Sequence, residues 1–268
     1  MLVSVIIPVY NAQETLKISV DSVVNSIEKV SSDYEIICVD DGSKDNSLDI
    51  LSEIADKNPS IKIIQQENSG AACARNAGLK IAKGNFIAFN DSDDAWSENH
   101  FKELLDLFTR YPYIDCISGN HDIEKQTIPK LKRLEENVFH IFLKDELMKN
   151  YFSPQASMVR RRVIDNGIYF KSGMRYAEEG YFFYKIVSKH NCAFVNKINS
   201  ASILGKKKFG ESGLSGNLKE MERGELSNIV FARNELGINF STFAKAIVFS
   251  VLKYFRRKII VRLRECRK

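Results

Sequence analysis

Cysteine, tryptophan and histidine are scarce in this sequence, and each scarcity excludes something. The five cysteines (Cys38, Cys73, Cys116, Cys192 and Cys266) are scattered, with no C-x-x-C spacing. That argues against a disulfide frame or a zinc site and for reduced thiols in a cytoplasmic protein. The four histidines stand alone and offer no metal-ligand spacing. No stretch approaches the ~20 apolar residues that span a bilayer. The N-terminus has no basic region, and Pro8 interrupts its apolar run, so it does not read as a signal peptide. Internal repeats and low-complexity segments are absent.

What is present is an ordinary globular composition: 268 residues, 44% hydrophobic and 27% charged. That length makes one large or two small domains. The net charge of +5 is unevenly placed. Residues 241–268 carry nine Lys/Arg against one acid, Glu265, leaving 30 basic and 33 acidic side chains in the first 240. A mildly acidic body therefore precedes a strongly basic tail.

Apolar, β-branched runs alternate with helical periodicity. Leu2 to Ile7 reads as a strand ending at Pro8-Val9-Tyr10-Asn11, and 13–28 as a helix. Tyr34 to Val39 is a second strand, ending at Asp40-Asp41-Gly42-Ser43, and 44–57 a second helix. Ile61 to Ile64, a small-residue helix from Ser69-Gly70 to Ala82, and the strand Phe86 to Phe89 follow. Such alternation with short connections predicts βαβ units and a parallel sheet.

The last of these strands runs into Asn90-Asp91-Ser92-Asp93-Asp94. Three carboxylates in four residues repel unless a cation is present, and Mg²⁺ or Mn²⁺ commonly sits between one or two carboxylates and substrate phosphates. Ligands of open α/β sheets also bind outside the carboxyl ends of the strands. The competing reading is an acidic turn that caps the next helix, with Ser97 as N-cap. Beyond Tyr111 the periodicity loosens: 113–119 suggests a strand and 120–157 resists assignment. A helix at 178–190, a strand from Cys192, and helices at 218–236 and from Thr242 onward complete the chain. Arg160-Arg161-Arg162 and Lys206-Lys207-Lys208 read as solvated surface, with a diphosphate contact as the alternative. The Gly/Ser/Lys-rich stretch 206–216 suits a lid.

Four segments together resemble family 2 glycosyltransferases: Val3 to Asn11, Asp40 to Ser47, Asn68 to Gly78 containing Ala74-Arg75-Asn76-Ala77-Gly78, and Asp91-Ser92-Asp93-Asp94. The resemblance implies a GT-A fold, a mostly parallel Rossmann-like sheet flanked by helices. It implies a nucleotide-binding half at 1–112, an acceptor half at 113–215 and a helical extension at 216–268. It further implies a nucleotide-diphosphate-sugar donor (a UDP-sugar), a divalent metal (Mn²⁺ or Mg²⁺) and inversion at the anomeric carbon. By that similarity Pro8 and Tyr10 line the uracil, Glu14 and Arg75 lie near the donor, and Asp41 accepts the uracil imide N–H. Asp93 binds the metal and Asp91 lies near ribose and metal.

The family's E-D-x-x-F pattern, whose Asp is the general base, appears here as Glu178-Glu179-Gly180-Tyr181-Phe182. Glu179 takes the base position, one methylene longer than the family's Asp; Glu178 in its stead, or two glutamates that only complement a helix N-terminus, remain open. The Q-x-x-R-W element of processive members is absent, which favours single-sugar transfer. In the tail, Phe243, Ile247, Val251, Phe255, Ile259 and Leu263 recur every four residues among Lys and Arg, a basic amphipathic helix suited to an anionic membrane surface. Nucleic-acid binding and an oligomer contact compete for that pattern; the resemblance favours the membrane, a peripheral position on the inner face, and a lipid-diphosphate-linked or other glycan acceptor in surface polysaccharide synthesis. A catalytically weak scaffold that binds nucleotide sugar or glycan is the alternative. A nucleotidyltransferase is disfavoured, because Pro8-Val9-Tyr10-Asn11 contains no glycine for a phosphate loop.

Overall fold

Alternation along the first strand sets the layers. In Leu2–Val9 (β1), Val3, Val5, Ile7 and Val9 enter one core and Ile6 enters the other, as expected for a strand covered on both faces. The computed structural model describes residues 2–30, 33–122, 128, 131–205 and 216–265. β1 pairs in parallel with Asp33–Asp40 (β2) and with Phe86–Phe89 (β4), and β2 in parallel with Ile61–Gln65 (β3). The β1–β4 register ends at Ile6↔Phe89. Pro8, lacking an N–H, falls where that ladder has already stopped.

One face is covered by Leu16–Glu28 (α1), Ser47–Lys57 (α2) and His100–Arg110 (α4), which contribute Leu16, Val20, Val23, Leu51, Phe101 and Leu104. The other is covered by Ala71–Ile81 (α3), Arg161–Asp165 (α6) and Glu178–Lys189 (α7), through Ala72, Leu79, Val163, Phe182 and Phe183. Each fully buried Phe or Leu contributes about 1.5–3 kcal/mol.

The second half extends the same sheet. Ser157–Arg160 (β9) runs antiparallel between β4 and Cys116–His121 (β6). Cys192–Ser202 (β10) pairs parallel with β6 and antiparallel with Val138–Ile141 (β8), which pairs with Lys132–Glu135 (β7). The order is β3-β2-β1-β4-β9-β6-β10-β8-β7. The stretch 120–157, unassignable from periodicity, thus supplies an edge hairpin, the short helix Leu143–Met148 (α5) and a single 3₁₀ turn.

Leu218–Glu235 (α8) and Phe240–Glu265 (α9) close the described chain. Leu147 and Tyr184 pack with Ile229, Ala232 and Ala246, so the pair docks on α5 and α7. Ser250 donates to Glu222 at 3.0 Å, and Arg257 (2.9 Å) and Lys253 (3.4 Å) pair with Glu225. None of the helices among the described residues is long and apolar enough to cross a membrane.

Two expectations change. Asp94 does not lead into a Ser97-capped helix; Asp94–Trp96 (β5) is a short strand antiparallel to β10, and α4 begins at His100 after Asn99. Of the three arginines at 160–162, Arg160 and Arg161 are not solvated surface but half-buried against backbone, whereas Arg162 is exposed. Arg160 lies over Phe86 and Phe108 and donates to the Ile114 and Phe108 carbonyls at 2.8 and 2.9 Å. Arg161 donates to the Gly84 and Ala82 carbonyls at 2.6 Å, and Arg162 pairs with Asp115. Arg161 thus ties down the chain entering β4, and Arg160 covers Phe86, with which it is in register. The lysines at 206–208, their lid and Cys266 lie outside the described residues.

Candidate active site

Polar residues at the carboxyl ends of β1, β2, β4 and β6 gather on one rim of the sheet. Tyr10 follows β1 with half its surface exposed, and Asn11 turns left-handed at φ +49°. Asn11 Oδ1 accepts from Lys44 N at 2.8 Å, tying this turn to the one after β2. Glu14 is exposed in the turn ahead of α1. Asp41 is buried; its carboxylate accepts Ser69 N and Gly70 N at 2.8 Å and Gln66 Nε2 at 2.7 Å. Three donors on four lone-pair sites leave one acceptor position.

The acidic turn after β4 is held from below by α1. Ser19 Oγ donates to the Asp91 carbonyl (3.0 Å), Thr15 Oγ1 to the Ser92 carbonyl (2.8 Å), and Ser22 Oγ accepts Trp96 N (3.0 Å). Ser26 Oγ accepts Phe101 N at 3.1 Å. Spaced 15, 19, 22 and 26, these hydroxyls line one helix face. Asn90, fully buried, adds bonds to Ser19 Oγ (2.9 Å) and the Asp94 carbonyl (3.0 Å).

Each member of Ala74-Arg75-Asn76-Ala77-Gly78 that carries a polar group or lacks a side chain has a visible task. A Cβ on Gly78 would lie 2.6 Å from Ile6, so glycine lets α3 settle on β1. Asn76 exchanges two bonds with the Phe170 backbone, at 2.9 and 3.0 Å. Arg75, buried, donates to Asp91 Oδ1 at 2.6 Å and to Glu178 Oε1 at 3.1 Å, with its guanidinium 5.2 Å from the Phe170 ring centre. Its fork is thus filled by carboxylates, and its Nε is buried without a partner. The structure brings Asp91, Arg75, Glu178 and Glu179 into one network.

Electrostatics mark the rim as short of positive charge. Burial, then Asp91, Asp93 and Asp122, push the Asp94 carboxyl up to about 9. Burial and then Glu178 push Glu179 up to about 8, against the pull of Arg75. His121 and Asp122, at the end of β6, were missed from sequence: His121 Nε2 lies 3.0 Å from Asp122 and 3.6 Å from Asp94. Their position at a strand's carboxyl end was the available signal. Among the described residues no three His, Cys, Asp or Glu side chains converge as a ready-made cation cage. The hard oxygen donors still suit a Mg²⁺- or Mn²⁺-type ion, which takes one or two carboxylates and completes its shell with substrate phosphate and water.

The fold is that of GT-A glycosyltransferases. S. aureus TarS 1-349, crystallised in complex with UDP-GlcNAc, superposes with a TM-score of 0.72 at 21% identity, covering 96% of this chain and 73% of that one. The family model described as Glycosyl transferase family 2 matches residues 4–168, and the chain belongs to that family. The minor teichoic acid biosynthesis protein GgaA of Bacillus subtilis is 32% identical over 192 residues, 69% of this chain and 43% of that protein. The Escherichia coli UDP-Glc:alpha-D-GlcNAc-diphosphoundecaprenol beta-1,3-glucosyltransferase WfgD is 30% identical over 226 residues, 83% of each. The chain therefore spans less than half of the first relative and most of the second.

Proposed function

We propose that this chain is an inverting glycosyltransferase that moves a single sugar from a UDP-sugar to a lipid-diphosphate-linked or other glycan acceptor in cell-surface polysaccharide synthesis. The observation that carries the reading is Arg75, which ties the acidic turn after β4 to the paired glutamates opening α7. Donor and acceptor chemistry would otherwise stand on separate halves, 1–112 and 113–215. The UDP-GlcNAc bound by TarS and the UDP-Glc named for WfgD support the donor class; the diphosphoundecaprenol named for WfgD supports the acceptor class.

In this reading Tyr10 and Pro8 flank the uracil, and the free lone pair of Asp41 accepts its imide N–H. Glu14 borders the nucleotide. Glu179 takes the proton of the acceptor hydroxyl as that oxygen bonds to the anomeric carbon and the bond to UDP breaks. A single displacement of this kind inverts the anomeric centre. Arg75 holds Asp91 beside the nucleotide and pairs with Glu178 next to the base. Asp93, with Asp91 near it, would hold Mn²⁺ or Mg²⁺, which supplies Lewis-acid neutralisation of the departing diphosphate.

The exposed face of α9 suits a peripheral position on the inner membrane surface. Val248, Leu252, Phe255, Ile259 and Leu263 are all more than half exposed. At 3.6 residues per turn they form one stripe, with Arg256 on one edge and Lys258 and Arg262 on the other. Cations on both edges repel a second copy and complement anionic headgroups.

The competing reading, a scaffold that binds without transfer, is favoured by the half-buried Glu179, whose carboxyl burial and Glu178 push up to about 8. Thermal unfolding with UDP, GDP, CDP and UDP-sugars, with and without Mn²⁺, tests the donor site. A ligand at a hundred times its Kd adds about 2.7 kcal/mol. A Mn²⁺-dependent shift for uridine compounds alone, lost in Asp93→Asn, is expected. Folded protein that shifts with no nucleotide would overturn the reading.

A further inference from the structure

The segment that delivers the paired glutamates is held in an unfavourable backbone conformation by α8. Ala177, directly before Glu178, sits in the left-handed region at φ +56°, which residues with a Cβ rarely adopt. No side chain caps the start of α7. Asn228, buried on α8, instead donates its Nδ2 to the Ala177 carbonyl at 2.7 Å. The helices meet here through two glycines. A Cβ on Gly180 would lie 2.7 Å from Asn228 Nδ2, and one on Gly224 would lie 2.5 Å from the Tyr176 carbonyl. A buried amide, a strained residue and two close approaches converge on residues 176–180, and α8 is itself braced by the ion cluster shared with α9.

We propose that Asn228 is a positioning residue for Glu178 and Glu179, so that the C-terminal helical pair is part of the machinery that sets the base. This rests on the proposed function for its catalytic consequence, though not for its structural one. Asn228 touches neither donor nor acceptor in this scheme; it fixes the carbonyl that fixes the turn. A displacement of about 1 Å at a reacting group costs on the order of a hundredfold in rate.

Two readouts on full-length Asn228→Ala, Gly180→Ala and the double variant test it. The first, hydrogen exchange of peptides covering 174–182, needs no activity: both single variants are expected to exchange faster there, with the central strands unchanged. The second is steady-state transfer: kcat falls about ten- to a hundredfold while KM for the donor stays within twofold. Because the added Cβ acts by displacing the Asn228 amide, the double variant is no worse than either single one. Wild-type protection at 174–182 in Asn228→Ala, or single effects that multiply in the double variant, would overturn the inference. Wild-type protein that transfers nothing counts against the function alone, since exchange still decides the role of Asn228.

Discussion

Arg75 and Glu178 are 103 positions apart in sequence and meet through a hydrogen bond of 3.1 Å, both largely shielded from solvent. With the 2.6 Å bond from Arg75 to Asp91, this makes one cation the joint between the two halves of the site. Replacing it by a neutral side chain of similar size strands two carboxylates. Arg75→Met is expected to cost about 3–5 kcal/mol, the range for breaking a buried ion pair, toward the lower end because Asp91 is a quarter exposed. Urea denaturation measures it; a loss below 1 kcal/mol would show that the network is not structural.

Stability should fall as pH rises from about 4 to 9. The folded protein holds protons on Glu146 and Glu179, both raised to about 8, and on Asp94, raised to about 9, all chiefly by burial, that the unfolded chain releases near the ordinary carboxylate values. A raised folded pKa means stability fully present below the unfolded value and lost on the way to the folded one. Glu146→Gln, keeping an oxygen for Tyr151 N, should flatten the decline. A stability maximum at pH 8 or above in wild-type protein would contradict this.

The hydroxyl stripe of α1 yields a third test. Ser19→Ala removes a donor to the Asp91 carbonyl and an acceptor for Asn90, both within a buried network. The expected cost is about 1–3 kcal/mol, together with weaker binding of UDP, read by calorimetry, because the acidic turn loses its support. Unchanged UDP affinity would separate that turn from the nucleotide site.

For α9, Leu252→Glu and Ile259→Glu should abolish sedimentation with anionic vesicles without lowering the melting temperature, since both side chains are 60% exposed. Binding by wild-type protein should weaken with salt and vanish on neutral vesicles. Equal binding to neutral vesicles would remove the electrostatic part of the argument.

Much of the first 90 residues was legible because each strand there is a contiguous apolar run ending in polar residues, as at Phe86 to Asp91. Periodicity failed where pairing is non-local. β5 is three residues long and exists only because β10 returns beside it, and the hairpin at 132–141 is defined by partners rather than pattern. Arg75 and Asp91 were singled out by their motifs, while the arm reaching Glu178 depended on a fold that closes 103 residues later. His121 and the α1 hydroxyls left no motif, only spacing. Arg160 and Arg161 misled because a basic run looks solvated until the carbonyls these two bond are in view.

The most direct test of the account is sugar transfer itself. Purified protein would be incubated with Mn²⁺, a panel of UDP-sugars and a short-chain lipid-diphosphate sugar acceptor, reading UDP release and the anomeric configuration of the product. UDP release in step with an inverted product is expected, reduced at least a hundredfold in Glu179→Gln and in Asp93→Asn. A product of retained configuration, or transfer by Glu179→Gln at the wild-type rate, would contradict it.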